Sequence, residues 1–465
     1  MKKPLLPLIF FVSFIILFTV SSCKKTGTTD TSIPVVTTQD VILDLTTTTA
    51  QSGGTITSIG GAALTADGVV YSTTTKTPTL DDIKSAAGLI TTSYTFTNNL
   101  TGLTANTTYY LRAYATNEFG TAYGAVITFT TSSTLSFVTG VVTTFAGNGT
   151  AGFLDGTGTG AEFNNPTGLA MDASGNIYIS DTFNNRIRKI ASDGTVTTIA
   201  GNGTAGYVDS KDGDPEFYAP QGLAIDPTGN IFVADYGNNV IREITVAGTV
   251  STYAGNGNAG FVDGAASKVA TFNGPAGVAF DTKGNLFVAD RNNNMIRKIS
   301  PAGGVSLVAG VTRPGYTNLT VDSAIGSWGA FKKPNGIAVD ATGNIYVADD
   351  GNNAIRLITP AGVITTIAGG PVQTALVGYP SALCVDATGN LFISDESGRI
   401  IELTSARALY VLAGASNVTG YADGTGAAAI FNTPQGIVVD KTGNNIYIAD
   451  FNNSRIRKLV VQTTD

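Results

Sequence analysis

The sequence predicts an all-β protein in which a small β-sandwich at 34–132 precedes a six-bladed β-propeller over 141–465. Three observations predict it. Of the 465 residues, 56 are glycine and only 13% are charged, while 43% are hydrophobic. That balance suits many short strands joined by tight turns. The apolar runs are short and lack helical periodicity. One pattern of roughly fifty residues is also written six times, and a unit of that length with four strand-like runs reads as a propeller blade.

The first residues form an export signal: "MKK", the apolar run "PLLPLIFFVSFIILFTV", then "SSC". The run is short for a permanent span. The segment "VSSC" (20–23) resembles the lipobox of bacterial lipoproteins, in a form similar to that of the Bacteroidetes. The resemblance implies a signal peptide over 1–22, lipidation of Cys23, a tether over 23–33, and an exported protein anchored in the outer membrane and facing the cell surface. Loss of 1–22 removes Lys2 and Lys3 and takes the formal charge from −7 to −9. An acidic exported protein is a poor partner for nucleic acid, and its contact with the membrane is expected through the lipid alone. The other cysteine, Cys384 in "ALCVD", then has no partner for a disulfide and reads as a small core residue.

Residues 34–132 alternate apolar and polar positions in runs such as "GVVYSTTT", "TYYLRAYATN" and "AVITFTT". The stretch "LTGLTANTTYYLRAYATNEFGTAYG" resembles the end of a fibronectin type III domain, with Leu103 and Tyr109 at the places where that family brackets a corner. The expected role is a spacer that lifts the rest of the chain off the membrane. Residues 133–140 read as a linker.

The repeats follow. Each copy runs from a Pro-x-Gly through Asp-x-x-Gly-Asn to a second strand ending in Asp; the copies begin at Pro166, Pro220, Pro275, Pro334, Pro380 and Pro434. The terminal residues are Asp181, Asp235, Asp290, Asp349, Asp395 and Asp450, 46 to 59 residues apart. The copy at Pro380 is worn and ends "DESGRIIEL". Strands such as "IYIS" and "LFVA" are apolar at nearly every position, as strands buried on both faces must be. Six copies of this pattern resemble NHL repeats, and the resemblance implies a six-bladed propeller. The orphan "VVTTFAGNG" (141–149) matches "TVTTIAGNG" (195–203), and the last copy lacks a fourth strand. The early strand is therefore expected to complete the sixth blade and remove the open edge. In "RIRKI", Ile187 and Ile190 differ in parity, so alternation cannot bury both on one face.

The repeated Asp and the two Asn that follow it in most copies are expected to be structural turn residues, since Asx side chains bond nearby backbone N–H groups and Asn tolerates left-handed backbone. The arginines two or three residues on, Arg188, Arg242, Arg297, Arg356 and Arg457, are candidates to pair with a carboxylate. Asp172 and its equivalents before "xxGN" are first-turn residues by the same reasoning.

Function is expected on the face that carries the turn after strand two and the long loop after strand four. Phe163, Phe217, Phe272, Phe331 and Phe431 recur three residues before the repeat proline, where they would plug the clefts between blades. The fourth long loop (310–334) is the longest and carries Tyr316 and the single tryptophan, Trp328; the fifth is short and places Tyr379 before its proline. Tyr316, Trp328, Phe331 and Tyr379 are the candidate ligand-binding residues, in a notch between a long and a short loop. The chain has no histidine, which excludes a Ser-His-Asp triad, a histidine base and a histidine-bound zinc. No catalytic residue, metal ligand or cofactor is assigned. The reading is a non-catalytic binding module for a glycan, peptide or protein on the loop face. The alternatives are a lactonase-like hydrolase with a metal held by Glu, Asn and Asp, as in six-bladed relatives, and an envelope scaffold protein. Glu396, in the worn copy, is the one Glu that stands at a regular position near the axis.

Overall fold

The computed structural model describes residues 30–39, 42–43, 45–86, 95–131, 137–211, 213–265, 268–315, 330–370 and 377–464. The export signal, Cys23, Tyr316 and Trp328 lie outside the described residues. Among the described residues the regular structure is β-strand and single-turn 3-10 helix.

The N-terminal unit is two facing sheets. One pairs Thr49–Ser58 with Val35–Thr38 and Thr95–Thr101; the other centres on Leu64–Ser72 and Thr108–Asn117. Val36, Ile56, Val69, Phe96, Leu111 and Phe129 fill the space between them. Leu103 and Tyr109 are both buried at the corner between the sheets. The Tyr109 hydroxyl accepts the Thr104 N–H at 2.9 Å, and its ring stacks on Phe129 with centroids 5.4 Å apart.

Six four-stranded antiparallel blades follow. Blade 1 consists of Pro166–Met171, Ile177–Asp181, Arg186–Ile190 and Thr195–Ala200. Blades 2 to 5 repeat it over 220–254, 275–310, 334–369 and 380–414. Blade 6 takes Pro434–Val439, Asn445–Asp450 and Arg455–Thr464 from the C-terminus and Phe137–Ala146 from before blade 1. The closing strand begins at Phe137, four residues inside the stretch read as linker, and pairs with its partner from Phe137–Thr464 to Ala146–Ile456. The innermost strands pack on one another around a complete ring. Their approach is so close that a Cβ on Gly168 would collide with the Gln221 carbonyl, and one on Gly436 with that of Thr167.

Burial on both faces resolves the parity of "RIRKI". Ile187 packs into the layer between blades 1 and 2, Ile190 into the layer between blades 6 and 1, and both are fully buried. A register shift sits beside Ile187, where Ile187 faces Ala200 and Arg188 faces Thr198. The turn after strand one is an Asx turn: Asp172 Oδ1 accepts the N–H groups of Ser174 (2.8 Å) and Asn176 (2.9 Å), while Gly175 takes a φ of +83°.

The sandwich is joined to the propeller by hydrogen bonds. Ile42–Leu43 runs parallel to Ala408–Gly414, the outer strand of blade 5, and the Ile42 N–H donates to Arg407 O at 3.0 Å. Ala408 belongs to the sandwich core.

Candidate functional site

The repeated Asp ends strand two, and its carboxylate caps nothing in the 3-10 turn that follows. It is the hub of a buried network instead. Asp181 Oδ1 accepts the Asn164 N–H at 2.7 Å, and Oδ2 accepts from Asn184 Nδ2 at 2.8 Å and from Arg188 at 2.7 Å. Arg188 also donates to the carbonyls of Glu162 and Leu154 and to Asp155 Oδ1. Asp155 in turn accepts the Thr198 N–H on the outer strand. One Asp-Arg-Asp chain thus pins the whole 148–166 loop to its blade. The same pairs recur as Arg242 with Asp235 and Asp209, Arg297 with Asp290 and Asp263, and Arg457 with Asp450 and Asp423; Arg356 pairs with Asp349. All five arginines are fully buried. Burial pushes the Asp235, Asp290 and Asp349 carboxyls up to about 6 against the pull of their arginines. The second Asn has a separate task. Asn185 sits at φ +53°, and its Oδ1 accepts the Ala219 N–H of the next blade at 3.0 Å.

Blade 5 solves the same position differently. Ile401 stands where the other blades have the arginine, Val377 stands where they have the phenylalanine, and both are fully buried in one apolar cluster. Asp395 pairs with Arg399.

Phe331 offers no surface at the loop face. It is fully buried in the cluster that joins blades 3 and 4, and the Arg356 guanidinium lies 5.2 Å from its ring centroid. Phe163, Phe217, Phe272 and Phe431 plug the other clefts in the same way. The reason is symmetry: a residue at a regular repeat position is called on for packing in every blade. Tyr379 is 57% exposed on the loop face, at φ +53°, and its carbonyl accepts the Glu396 N–H at 3.1 Å.

That contact leads to the loop-face mouth of the axis. The residue directly after the repeated Asp differs in every blade: Thr182, Tyr236, Arg291, Asp350, Glu396 and Phe451. Each sits at the start of the turn that leaves strand two; Thr182 reaches the inner strands of its own and the next blade, Glu396 reaches that of the next, and Tyr236, Arg291 and Phe451 meet the turn of the neighbouring blade. The inner strands present Thr167, Gln221, Ala276, Asn335, Ser381 and Gln435 below them, around a small axial hollow of about 50 Å³. Thr167 and Thr182 hydroxyls lie 2.6 Å apart. Arg291 bridges to Asp350 at 2.9 Å and to the Lys333 carbonyl. Glu396 Oε1 accepts from Gln435 Nε2 at 2.7 Å. Burial, and then the nearby Asp350, push the Glu396 carboxyl above its ordinary range; burial likewise raises Asp350 against Arg291. On the other side, Phe451 and Phe183 meet edge to face with centroids 5.9 Å apart. Phe183, Tyr218 and Tyr379 are at least half exposed nearby.

Sequence reasoning had named Glu396 and Tyr379 but not the ring as a whole. The signal was present: within the repeated decapeptide, the second position is the one that never repeats. Among the described residues, no group of three or more carboxylate or thiol side chains stands close enough to share a metal ion. Cys384 is half-buried with its thiol pushed well up by burial.

Comparison with known proteins supports this architecture. The NHL repeat model matches 163–190, 217–242, 272–299, 331–356 and 431–459, so the chain carries NHL repeats. The worn copy at Pro380 is not among the matched segments. NHL repeat-containing protein 2 of Bos taurus is 26% identical over 342 residues, 66% of this chain and 40% of that protein. The chain spans less than half the length of the curated relatives it matches. Two solved structures described as auxiliary nutrient binding proteins superpose with a TM-score of 0.52. That of Bacteroides ovatus is 16% identical and covers 91% of this chain and 98% of its own; that of Bacteroides thetaiotaomicron is 13% identical and covers 92% and 98%. At those identities the likeness shows the fold, an all-β NHL propeller.

Proposed function

We propose that the protein is a lipid-anchored, exported nutrient-binding protein that captures a glycan at the loop-face mouth of its propeller, without catalysis. The observation that carries this reading is the ring of six different residues after the repeated Asp. The repeated Asp before it recurs in all six blades, whereas Thr182, Tyr236, Arg291, Asp350, Glu396 and Phe451 differ from one another, and the inner-strand residues below them vary as well. A ligand without six-fold symmetry needs such a break. The chemistry suits a sugar: the Glu396–Gln435 pair and Asn335 offer fixed acceptors and donors for hydroxyl pairs, while Phe183, Tyr218 and Tyr379 offer exposed ring faces for stacking. The two Bacteroides structures described as nutrient binding proteins share the fold and supply an analogy at that level alone. The anchor at Cys23, with the sandwich as its spacer, would present that face away from the membrane.

The test is a glycan array followed by titration with the strongest hit. Glu396→Ala and Tyr379→Ala are each expected to weaken binding by about tenfold or more, the loss of roughly 1.4 kcal/mol or more. Equal binding by both variants overturns the placement of the site. Metal-dependent opening of a lactone by the purified protein, lost in Glu396→Ala, would replace binding with hydrolysis.

A further inference from the structure

On the opposite face, between blades 3 and 4, lies a cleft of about 460 Å³. That volume is within the usual range for small-ligand sites. The reason for the hollow is readable by comparing blades. Between blades 2 and 3 three rings fill the equivalent space: Phe232 meets Tyr253 at 4.8 Å and Phe280 at 5.0 Å, both edge to face. Between blades 6 and 1, Phe145 meets Tyr447 at 5.0 Å. Between blades 3 and 4 the places of Tyr253 and Phe280 fall to Val308 and Val339, leaving Phe287 alone. Relative to the layer between blades 2 and 3, two large side chains are replaced by two small ones.

The rim of this cleft is chemically one-sided. Asp281 is spent on its turn: Oδ1 accepts the N–H groups of Lys283 and Asn285, and Oδ2 accepts from Asn285 Nδ2. The Thr342 hydroxyl is spent on Asp340. What stays unspent is two ammonium groups, Lys283 and Lys298, which have no side-chain hydrogen bond or ion pair among the described residues. At the position of Lys298, Lys189 and Lys458 of other blades lie 5.7 Å and 5.8 Å from the ring centroids of Tyr178 and Tyr447. Lys298 is beside Phe287 on a lined cavity instead. The floor is apolar: Phe287, Leu307, Val308, Ile345 and Ile358.

We infer that this cleft is a second binding site, for a small organic carboxylate with an apolar body. Asp281 is engaged by its own turn, so the two ammonium groups beside it ask for a negative head group. The apolar floor takes the body of the ligand, and the water it displaces adds to the affinity. The site is separate from the axial mouth and shares no residue with it.

The experiment titrates the full chain with benzoate, 4-phenylbutyrate and hexanoate by calorimetry and ligand-observed NMR, with benzamide as the neutral control. At least one carboxylate is expected to bind saturably and more weakly as salt rises; benzamide is not. Lys283→Met with Lys298→Met should weaken that binding by about tenfold or more. Val308→Tyr, which restores the ring that blade 2 carries, should abolish it. Glu396→Ala should leave it unchanged. If no carboxylate binds saturably, or if the lysine pair can be removed without effect, the inference is wrong. The lysine variant decides the matter by itself should Val308→Tyr fail to fold.

Discussion

Replacing Arg242 by Met tests whether the repeated Asp-Arg chain holds the loops. Met fills much of the same space but offers no donor. The substitution leaves Asp235 with the Asn238 amide and the Tyr218 N–H alone, and it takes the arginine donor from the Glu216 carbonyl, from the Val208 carbonyl, which keeps the Glu216 N–H, and from the Asp209 carboxylate, which keeps the Thr252 hydroxyl. It also removes a cation that lies 5.1 Å and 5.3 Å from the ring centroids of Phe217 and Tyr207. Breaking a buried pair from one side costs about 3–5 kcal/mol. The penalty has a ceiling. Asp235 is already pushed up to about 6 with the arginine in place, so without it the carboxyl takes a proton near neutral pH instead of staying as a bare buried charge. For the roughly 330 residues of the propeller, about 4 kcal/mol corresponds to a fall of about 6 °C in Tm. Calorimetry of the intact protein reads the fall, and hydrogen exchange should show it first in 202–220. Asp235→Asn in the same chain should cost less on top of Arg242→Met than it does alone. A fall under about 2 °C, or exchange unchanged in that loop, would refute the argument.

Three further outcomes are expected. Deleting 137–146 strips blade 6 of its outer strand and exposes an edge, and the protein should aggregate or lose its cooperative melt; a monomer with unchanged Tm would contradict ring closure. Phe331→Ala should destabilise the layer between blades 3 and 4 by about 3–5 kcal/mol while glycan affinity at the mouth stays within about twofold, because that ring is wholly interior. Asp67→Asn should raise stability at pH 7.5 by up to about 3 kcal/mol and change it little at pH 3. Asp67 is 1% exposed, neither carboxylate oxygen has a partner among the described residues, and burial pushes it up to about 6. A folded-state value above the unfolded 3.8 means that the folded chain holds the extra proton between them, so stability falls as pH rises from about 4 to about 6. Identical melting of variant and parent at both pH values would show that Asp67 is solvated.

The propeller was legible because each blade must satisfy the same packing, so its strands, plugs and turns are written repeatedly. "IFVAD" is buried at all five positions, as a strand enclosed on both faces requires. The pairing of the outer strand of blade 6 was legible for the same reason: an unmatched fourth strand and an unmatched gap have one solution. The role of Asp181 was read too locally. Turn chemistry explains its neighbour Asn185 and its counterpart Asp172, but the partner of Asp181 lies across strand three, seven residues on, and the loop it pins comes from behind it. A sequence written in one dimension gives the Arg but not which carboxylate it meets. Of the aromatics at the notch between the long and the short loop, Tyr379 is exposed and Phe331 is wholly interior. Rarity and irregularity are different things. Phe331 is a regular residue in an irregular loop, whereas Glu396 and its five counterparts are irregular residues in a regular turn.

The fifth blade shows how one local loss is absorbed elsewhere. In blades 1 and 6 the long loop folds back and lays Gly156–Thr157 and Gly424–Thr425 on the outer strand of its own blade. In blade 2 Ser210 bonds Val250, and in blade 3 Gly264 bonds Val305. Those loops are anchored by the carboxylates that the buried arginines grip, Asp155, Asp209, Asp263 and Asp423. The stretch 369–380 contains no Asp or Glu, so a buried arginine in blade 5 would lack the second carboxylate that those loops supply. Ile401 and Val377 replace the pair with apolar contact, which removes the need for the charge. The outer strand Ala408–Gly414 is an edge that needs cover. The sandwich supplies the cover through Ile42–Leu43, with Ala408 sealed into its core. The N-terminal unit is therefore a structural part of blade 5, docked on the one blade whose preceding loop carries no carboxylate.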